Sequence, residues 1–326
     1  MKSIVIGVDV GNCDTKTSNT TTASGFSVFS KAPFGATETL VFNEMCYVPD
    51  MERFPYVMDK TNNENAFILS LFGIAKEIIF VLKKKGVADD YLQKEISDIE
   101  SINLGIGLPP AHISTLKEKL IEYYTSRFKN GISFEFNGYA FNLKLERISV
   151  YPQDLAAIMT FSSKKEDFIT KKYKSYYGID IGGYTVDVVP IIDKMPKSSD
   201  CVSLELGILK MNSTIISSVN REFGVPLDDS HISDILTGEP TILGQDIVDM
   251  VNNLAREWSE KIINQLRREG LVFEVNPVVF MGGGSRLLRK QLKGNRLVKA
   301  CDFIANPRAN ADGYKKLMEV EIRKGR

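Results

Sequence analysis

Asp9, Gly11, Asn12, Asp14, Thr15 and Lys16 lie in the segment IVIGVDVGNCDTKTS. Asp180, Gly182, Gly183, Tyr184, Thr185 and Asp187 lie in YYGIDIGGYTVDVV, in the second half of the chain. In each segment apolar, β-branched residues run into an aspartate where a strand should end. A glycine turn follows, and a second apolar strand leaves. Such a turn aims backbone N–H groups at one spot, which suits a phosphate. A strand-end carboxylate suits the hydrated Mg²⁺ that travels with phosphates. One Asp-x-Gly at a strand end is also an ordinary β-turn. Two near-copies, each opening one half of the chain, point instead to two similar domains clamping one nucleotide.

Two further segments carry residues of interest. In VVFMGGGSRLLRKQL the strand Val278 to Met281 runs into Gly282, Gly283 and Gly284, with Ser285 placed to cap a following helix. Strand, glycines, helix is a shape that lets backbone approach a flat or phosphorylated ligand. The G-x-G-x-x-G spacing of a dinucleotide site is missing, as is a strand-end acid about 20 residues further on. In VYPQDLAA, Gln153 is expected on the first turn of a helix that Pro152 opens, where its amide can orient a water.

The elements that would position these residues are legible in outline. Ser3 to Val10 reads as a buried strand, and Thr15 to Thr20 as the start of its antiparallel neighbour. Thr20 to Gly35 is expected to turn between edge strands. Glu64 to Lys85 reads as a long amphipathic helix stopped by Gly86, and Ile102 to Leu108 as a strand ending at Pro109-Pro110. A helix is expected from Ser114 to Phe128, and a hairpin with an Asn137-Gly138 turn across Ile132 to Val150. Gln153 to Phe161 is expected to be helical, and the lysine-rich Ser162 to Lys174 a solvated connector. The second half restarts with Tyr176 to Ile181, followed by strands at Val186 to Ile192 and Val202 to Leu206. Gly207 opens a helix, Ile235 to Leu243 is irregular, Gln245 to Arg268 is a long helix, and Tyr314 to Ile322 closes the chain. Strands followed by helices in both halves argue for a duplicated α/β fold.

Composition narrows the function. With 326 residues the chain suits two domains, and 43% hydrophobic with 25% charged residues is the make-up of a soluble globular protein. Forty-one basic and 41 acidic side chains cancel, so no global charge pulls the chain onto nucleic acid or an anionic membrane. Cys13, Cys46, Cys201 and Cys301 are isolated, which offers neither a zinc site nor a disulfide framework. Met1-Lys2-Ser3 leads straight into a strand, leaving no room for a signal peptide. Lys76 and Glu77 interrupt the most apolar stretch, which reads as a core helix rather than a membrane span. A cytoplasmic location is expected. His112 and His231 allow no Ser-His-Asp arrangement and are expected at the surface or in caps, and Trp258 is expected to anchor a core.

Taken in order, D-x-G-N-x-D-x-K at 9–16, P-Q-x-x-A-A at 152–157, D-I-G-G-x-T-x-D at 180–187 and G-G-G at 282–284 resemble the actin/Hsp70/sugar-kinase ATPase superfamily. Within it, LGIGLPP, FEFNGYAF and VYPQDLAA resemble the bacterial actin-like proteins of the ParM and StbA type, which segregate plasmids. The resemblance implies a duplicated actin-like (ribonuclease H-like) α/β fold, with two lobes around a nucleotide cleft. It implies a first domain of residues 1–158 plus 314–326 and a second of 159–313. Asp9 and Asp180 match the aspartates that hold Mg²⁺ through water. Gly11, Asn12, Asp14 and Thr15 match the first phosphate hairpin, with Lys16 reaching a phosphate oxygen. Gly182, Gly183, Tyr184 and Thr185 match the second, although Tyr184 stands where a smaller residue is common. Gln153 falls where the family positions the attacking water, and Gly282, Gly283 and Ser285 match the adenosine loop, with Arg286 beside the base. Arg221 and Glu222 are the nearest candidates for a ribose-binding pair, and Ala305 to Gly313 resembles the second hinge segment. The implied function is an ATP- and Mg²⁺-dependent hydrolase. Its subunits assemble head to tail into filaments that move plasmid DNA through a DNA-binding adaptor, without direct contact to nucleic acid or membrane. The alternative is a small-molecule kinase of the same superfamily. Glutamine rather than aspartate at 153 favours water as the acceptor.

Overall fold

The computed structural model describes residues 2–50, 52–55, 57–161 and 168–325. The chain divides into two compact units, Met1–Thr160 with Arg308–Arg326, and Phe161–Pro307.

In the first unit the strands are β1 (Lys2–Val10), β2 (Asp14–Lys16), β3 (Thr21–Ala23), β4 (Phe26–Phe29), β5 (Leu40–Phe42) and β6 (Met45–Pro49). The helices α1 (Asn65–Lys84) and α2 (Asp89–Ser97) follow, then β7 (Ile99–Leu108), α3 (Ile113–Arg127), β8 (Ile132–Phe136), β9 (Tyr139–Pro152) and α4 (Leu155–Phe161). Among the described residues they build a nine-stranded sheet in the order β3-β2-β1-β7-β9-β8-β5-β6-β4. The centre of that sheet is parallel, with β7 between β1 and β9, so both faces must be covered. The apolar face of α1 does so on one side, packing Phe67, Leu71, Phe72 and Ile74 against Ile6, Val8, Ile102 and Leu104 in one core. Burying each such side chain contributes roughly 1.5–3 kcal/mol. By length and composition α1 could cross a membrane, yet 72% of its most apolar window is buried inside the protein. Lys83 and Lys84 sit favourably against its C-terminal carbonyls, and Gly86 at φ 88° ends it. The β8–β9 turn is made by Asn137 and Gly138 at φ 47° and 81°, both left-handed as a two-residue hairpin requires.

The second unit holds α5 (Ile169–Lys172), β10 (Tyr176–Ile181), β11 (Val186–Ile192), β12 (Met195–Pro196), β13 (Val202–Leu204), α6 (Ile208–Phe223), α7 (Asp229–Thr237) and α8 (Gln245–Arg268). It continues with β14 (Val278–Met281), α9 (Gly282–Leu287), α10 (Arg289–Lys293) and β15 (Cys301–Phe303). Its strands run in the order β12-β11-β10-β14-β15, with β13 paired to β11. The long helices α6 and α8 bring Met211, Ile215, Trp258 and Ile262 onto Ile179, Val188 and Phe280. Trp258 is the anchor expected of it, and its Nε1 donates to the Leu206 carbonyl at 3.1 Å. The chain then returns to the first unit in α11 (Ala309–Arg323). Helix α11 lies close on β1 and β7, because a Cβ on Gly7 or Gly107 would collide with the Ala311 carbonyl or the Tyr314 hydroxyl.

Several expectations are corrected. Pro152 does not open a helix: it ends β9, paired with Leu108, and α4 begins only at Leu155. The segment Ile235 to Leu243 is irregular only after Thr237. Asp228 caps the start of α7 through Ser230 and His231 backbone N–H groups, and the helix runs on until Gly238 ends it at φ 82°. The glycines after Met281 do not form a separate turn but enter α9 directly. The final helix starts at Ala309, not Tyr314, and absorbs much of the segment expected to be a hinge. Of the lysine-rich connector, residues 162–167 lie outside the described residues, and Ile169–Lys172 is a short helix.

Candidate functional site

In the first unit, β1 delivers Asp9 to the base of a tight hairpin, where it pairs with Lys16 of β2. The Gly11 N–H closes the turn by donating to the carbonyls of Asp9 and Asp14, each at 3.1 Å. A side chain at 11 would place its Cβ 2.6 Å from the Asp14 carbonyl oxygen, so only glycine fits. The Ser24 hydroxyl donates to the Gly11 carbonyl at 2.7 Å and lies 3.1 Å from the Thr15 hydroxyl, which fixes the hairpin from β3. Behind it, the buried Glu77 carboxylate of α1 accepts from the Thr17 hydroxyl at 2.6 Å and from the Asn19 side chain at 2.7 Å. The hairpin is thus held before any ligand arrives. Asn12 sits partly exposed at its tip.

Three cations gather on this turn. Lys16 Nζ is 3.9 Å from Asp14, and Arg53 donates from Nε to the Cys13 carbonyl at 2.9 Å while its Nη2 lies 3.8 Å from Asp14. Lys60 donates to the Val10 carbonyl. Lys60 rides on a short 3-10 turn pinned by Asp59, which accepts from Thr61 N at 3.0 Å and from Lys119 at 2.5 Å. Neither Arg53 nor Lys60 was among the site residues read from the sequence. They approach from segments with no glycine or acid signature of their own.

Asp9 is buried, at 8% exposure. Burial pushes its carboxyl above the usual range, while Lys16, Lys60, and hydrogen bonds from Asn310 and Gln153 pull it back. Gln153 reaches this carboxylate, Nε2 to Oδ1 at 3.3 Å. It does so from a turn and not, as expected, from a helix. Its own N–H donates to the Leu108 carbonyl at 2.9 Å, Asp154 follows at φ 60°, and the Asp154 N–H donates to Asn310 Oδ1 at 2.9 Å.

The second unit repeats the first hairpin in register. Asp180 pairs with Asp187 and Ile181 with Val186, as Asp9 does with Lys16 and Val10 with Thr15. Gly182 N–H donates to the Thr185 carbonyl at 2.9 Å, the counterpart of Gly11 to Asp14. The Thr185 hydroxyl donates to Asp187 at 2.8 Å. The carbonyls of Gly182, Gly183 and Tyr184 accept from the N–H groups of Ile208, Leu209 and Gly207 at 2.9–3.0 Å, so the first turn of α6 is docked on the back of the hairpin. That docking requires Gly207, whose Cβ would collide with Gly183.

The strand β14 runs parallel beside β10 and brings Gly282 onto Asp180. Gly282 has φ 84°, and a Cβ there would collide with the Asp180 carboxylate, so glycine is required twice over. Gly283 is exposed with open space around it, and Arg286 is exposed. Ser285 corrects its expectation: it does not cap the helix, whose N-cap is Met281, but is buried and donates to the Gly282 carbonyl at 2.9 Å. Arg221 and Glu222 lie exposed in the last turn of α6. Among the described residues no group of three or more His, Cys, Asp and Glu side chains could hold a metal ion. In the first unit Gly11, Lys16 and Gln153 lie about Asp9, and in the second Asp187 and Gly282 lie about Asp180.

Two α/β units, each with a mixed sheet opening on an aspartate–glycine hairpin, make an actin-like protein fold. The chain is similar in structure to the archaeal actin homologue Ta0583 in complex with ADP (TM-score 0.70, 18% identity, 97% of this chain and 99% of that one). It is similar to Bacillus thuringiensis ParM with ATP (0.66, 12%, 98% and 98%). It is also similar to ParM of a 15-stranded filament from Clostridium botulinum (0.66, 22%, 98% and 100%). In sequence, residues 178–294 match the family described as archaeal actin homologue MreB-like, C-terminal. No curated protein matches the chain in sequence.

Proposed function

We propose that the chain is an actin-like ATPase that polymerises into nucleotide-dependent filaments and segregates plasmid DNA through a DNA-binding adaptor. The observation that carries the ATPase part is the duplicated hairpin: aspartate, glycine N–H to the carbonyl three residues on, and the same ladder register in both units. In this reading each hairpin directs backbone dipoles at nucleotide phosphate, with Lys16 adding charge in the first unit. Asp9 and Asp180 are the residues that would hold Mg²⁺ through water, and the ion would offset phosphate charge. Gly282, Gly283, Ser285 and Arg286 belong to the adenosine side. Gln153 is no base; its amide orients the attacking water beside Asp9.

The filament part is supported by relatives of the same fold that are described as filaments. Head-to-tail assembly is a heterologous contact that does not close on itself, so it yields a polymer. The test is light scattering of the purified protein with ATP and Mg²⁺. Growth above a critical concentration supports the filament. No growth, with ATP consumed only after a small acceptor is added, identifies a kinase instead.

A further inference from the structure

The turn that carries Gln153 is held from the far end of the chain. Gln153 is anchored on one side by its N–H to the Leu108 carbonyl. On the other side Asp154, 1% exposed and at φ 60°, donates its N–H to Asn310 Oδ1. A left-handed aspartate is an uncommon conformation, and a buried N–H left unmet is costly, so the Asn310 acceptor supports this turn. With the amide oxygen spent on Asp154, the NH₂ end is left as a donor, and Asn310 acts as a hydrogen-bond donor to the Asp9 carboxylate, which can only accept. One side chain therefore touches both the Gln153 turn and the carboxylate that Gln153 itself reaches.

Helix α11 has little freedom to move Asn310 away. A Cβ on Gly7 would collide with the Ala311 carbonyl, and one on Gly313 with the Ala156 backbone, so residues flanking Asn310 are wedged against β1 and α4. Arg308, the N-cap of the helix, gives it no side-chain cap, while Asn310 gives its amide oxygen to Asp154. Asn310 thus serves the Gln153 turn.

We propose that Asn310 is a positioning residue for hydrolysis: through the backbone of Asp154 it keeps Gln153 aligned on Asp9, and it ties the start of the last helix to that step. This rests on the ATPase reading given above. The experiment is a double-mutant cycle in the full chain, with Asn310→Ala, Gln153→Ala and both together, reading kcat and nucleotide affinity. Asn310→Ala is expected to lower kcat at least about tenfold with nucleotide affinity within about threefold, and the double variant to be no slower than Gln153→Ala within about twofold. Asn310→Ser serves the same cycle where the alanine variant does not fold. Independent, multiplying losses, a kcat near wild type, or a loss confined to affinity would overturn the proposal. Wild-type protein that hydrolyses no ATP would overturn the ATPase reading itself, a different failure.

Discussion

Asp9 is the residue on which polar contacts of the first unit converge: Lys16 opposite in the ladder, Lys60 on the neighbouring carbonyl, Gln153 on its carboxylate. Burial lifts its carboxyl above the ordinary carboxylate range, and the surrounding cations and amides pull it only part of the way back. Asp180 has the corresponding place in the second unit, with Gly282 against it. Asp180→Ala is expected to weaken Mg²⁺-ATP binding by about 100-fold or more, measured by titration calorimetry, while leaving the fold intact by circular dichroism. Gln153→Ala is expected to bind ATP normally and to hydrolyse it on the order of 10–100 times more slowly. A normal rate would remove the role assigned to that amide. Asp9 and Gly11 were legible as a strand-end hairpin because their local motif is distinctive, whereas the role expected of Gln153 came from the family resemblance. Arg53, Lys60 and Asn310 were not, because each reaches the site from a segment whose own sequence says nothing about phosphate or water.

Among the elements, α11 and α7 show how packing and capping set boundaries that periodicity leaves open. Helix α11 extends N-terminally past Tyr314 because Gly7 and Gly313 let Ala311 and Ala156 approach, a contact between segments remote in sequence. Gly7→Ala is expected to cost about 1–3 kcal/mol by overpacking that contact, read as a lower urea midpoint with an unchanged slope. Helix α7 depends on Asp228, whose carboxylate accepts from Ser230 Oγ at 2.7 Å and from Ser230 and His231 N–H at 2.9 and 3.0 Å. These bonds hold its carboxyl down to about 2, from an ordinary 3.8. A depressed carboxylate adds stability that is fully present above pH 3.8 and fades as pH falls through about 2. The melting temperature of Asp228→Asn should therefore differ from wild type by a constant amount above that range and converge with it below. The pH of convergence is the measurement.

At the scale of the whole molecule the duplication dominates: two units, each built on a parallel strand pair that ends at an acidic hairpin, β1 with β7 and β10 with β14. Adding ATP and Mg²⁺ should slow amide exchange in residues 9–16 and in residues 180–187. A hairpin left unprotected would lose the phosphate-binding role proposed for it. The fold relationship reaches across archaeal and bacterial actin homologues at low identity, so it specifies an architecture.

Sequence alone determined the two hairpins, the Asn137-Gly138 turn and the long core helices, because each follows from local rules: where glycine is needed, where a strand stops, how apolar residues recur. Tertiary structure alone decided that Gln153 stands on a turn and not a helix, that Ser285 is buried rather than capping, and that Lys60, Arg53 and Asn310 join the site. Those outcomes depend on contacts between residues far apart in the chain, such as Asp154 and Asn310, which are 156 positions apart. A chain of local preferences carries no record of such contacts until a packed core sets the distances.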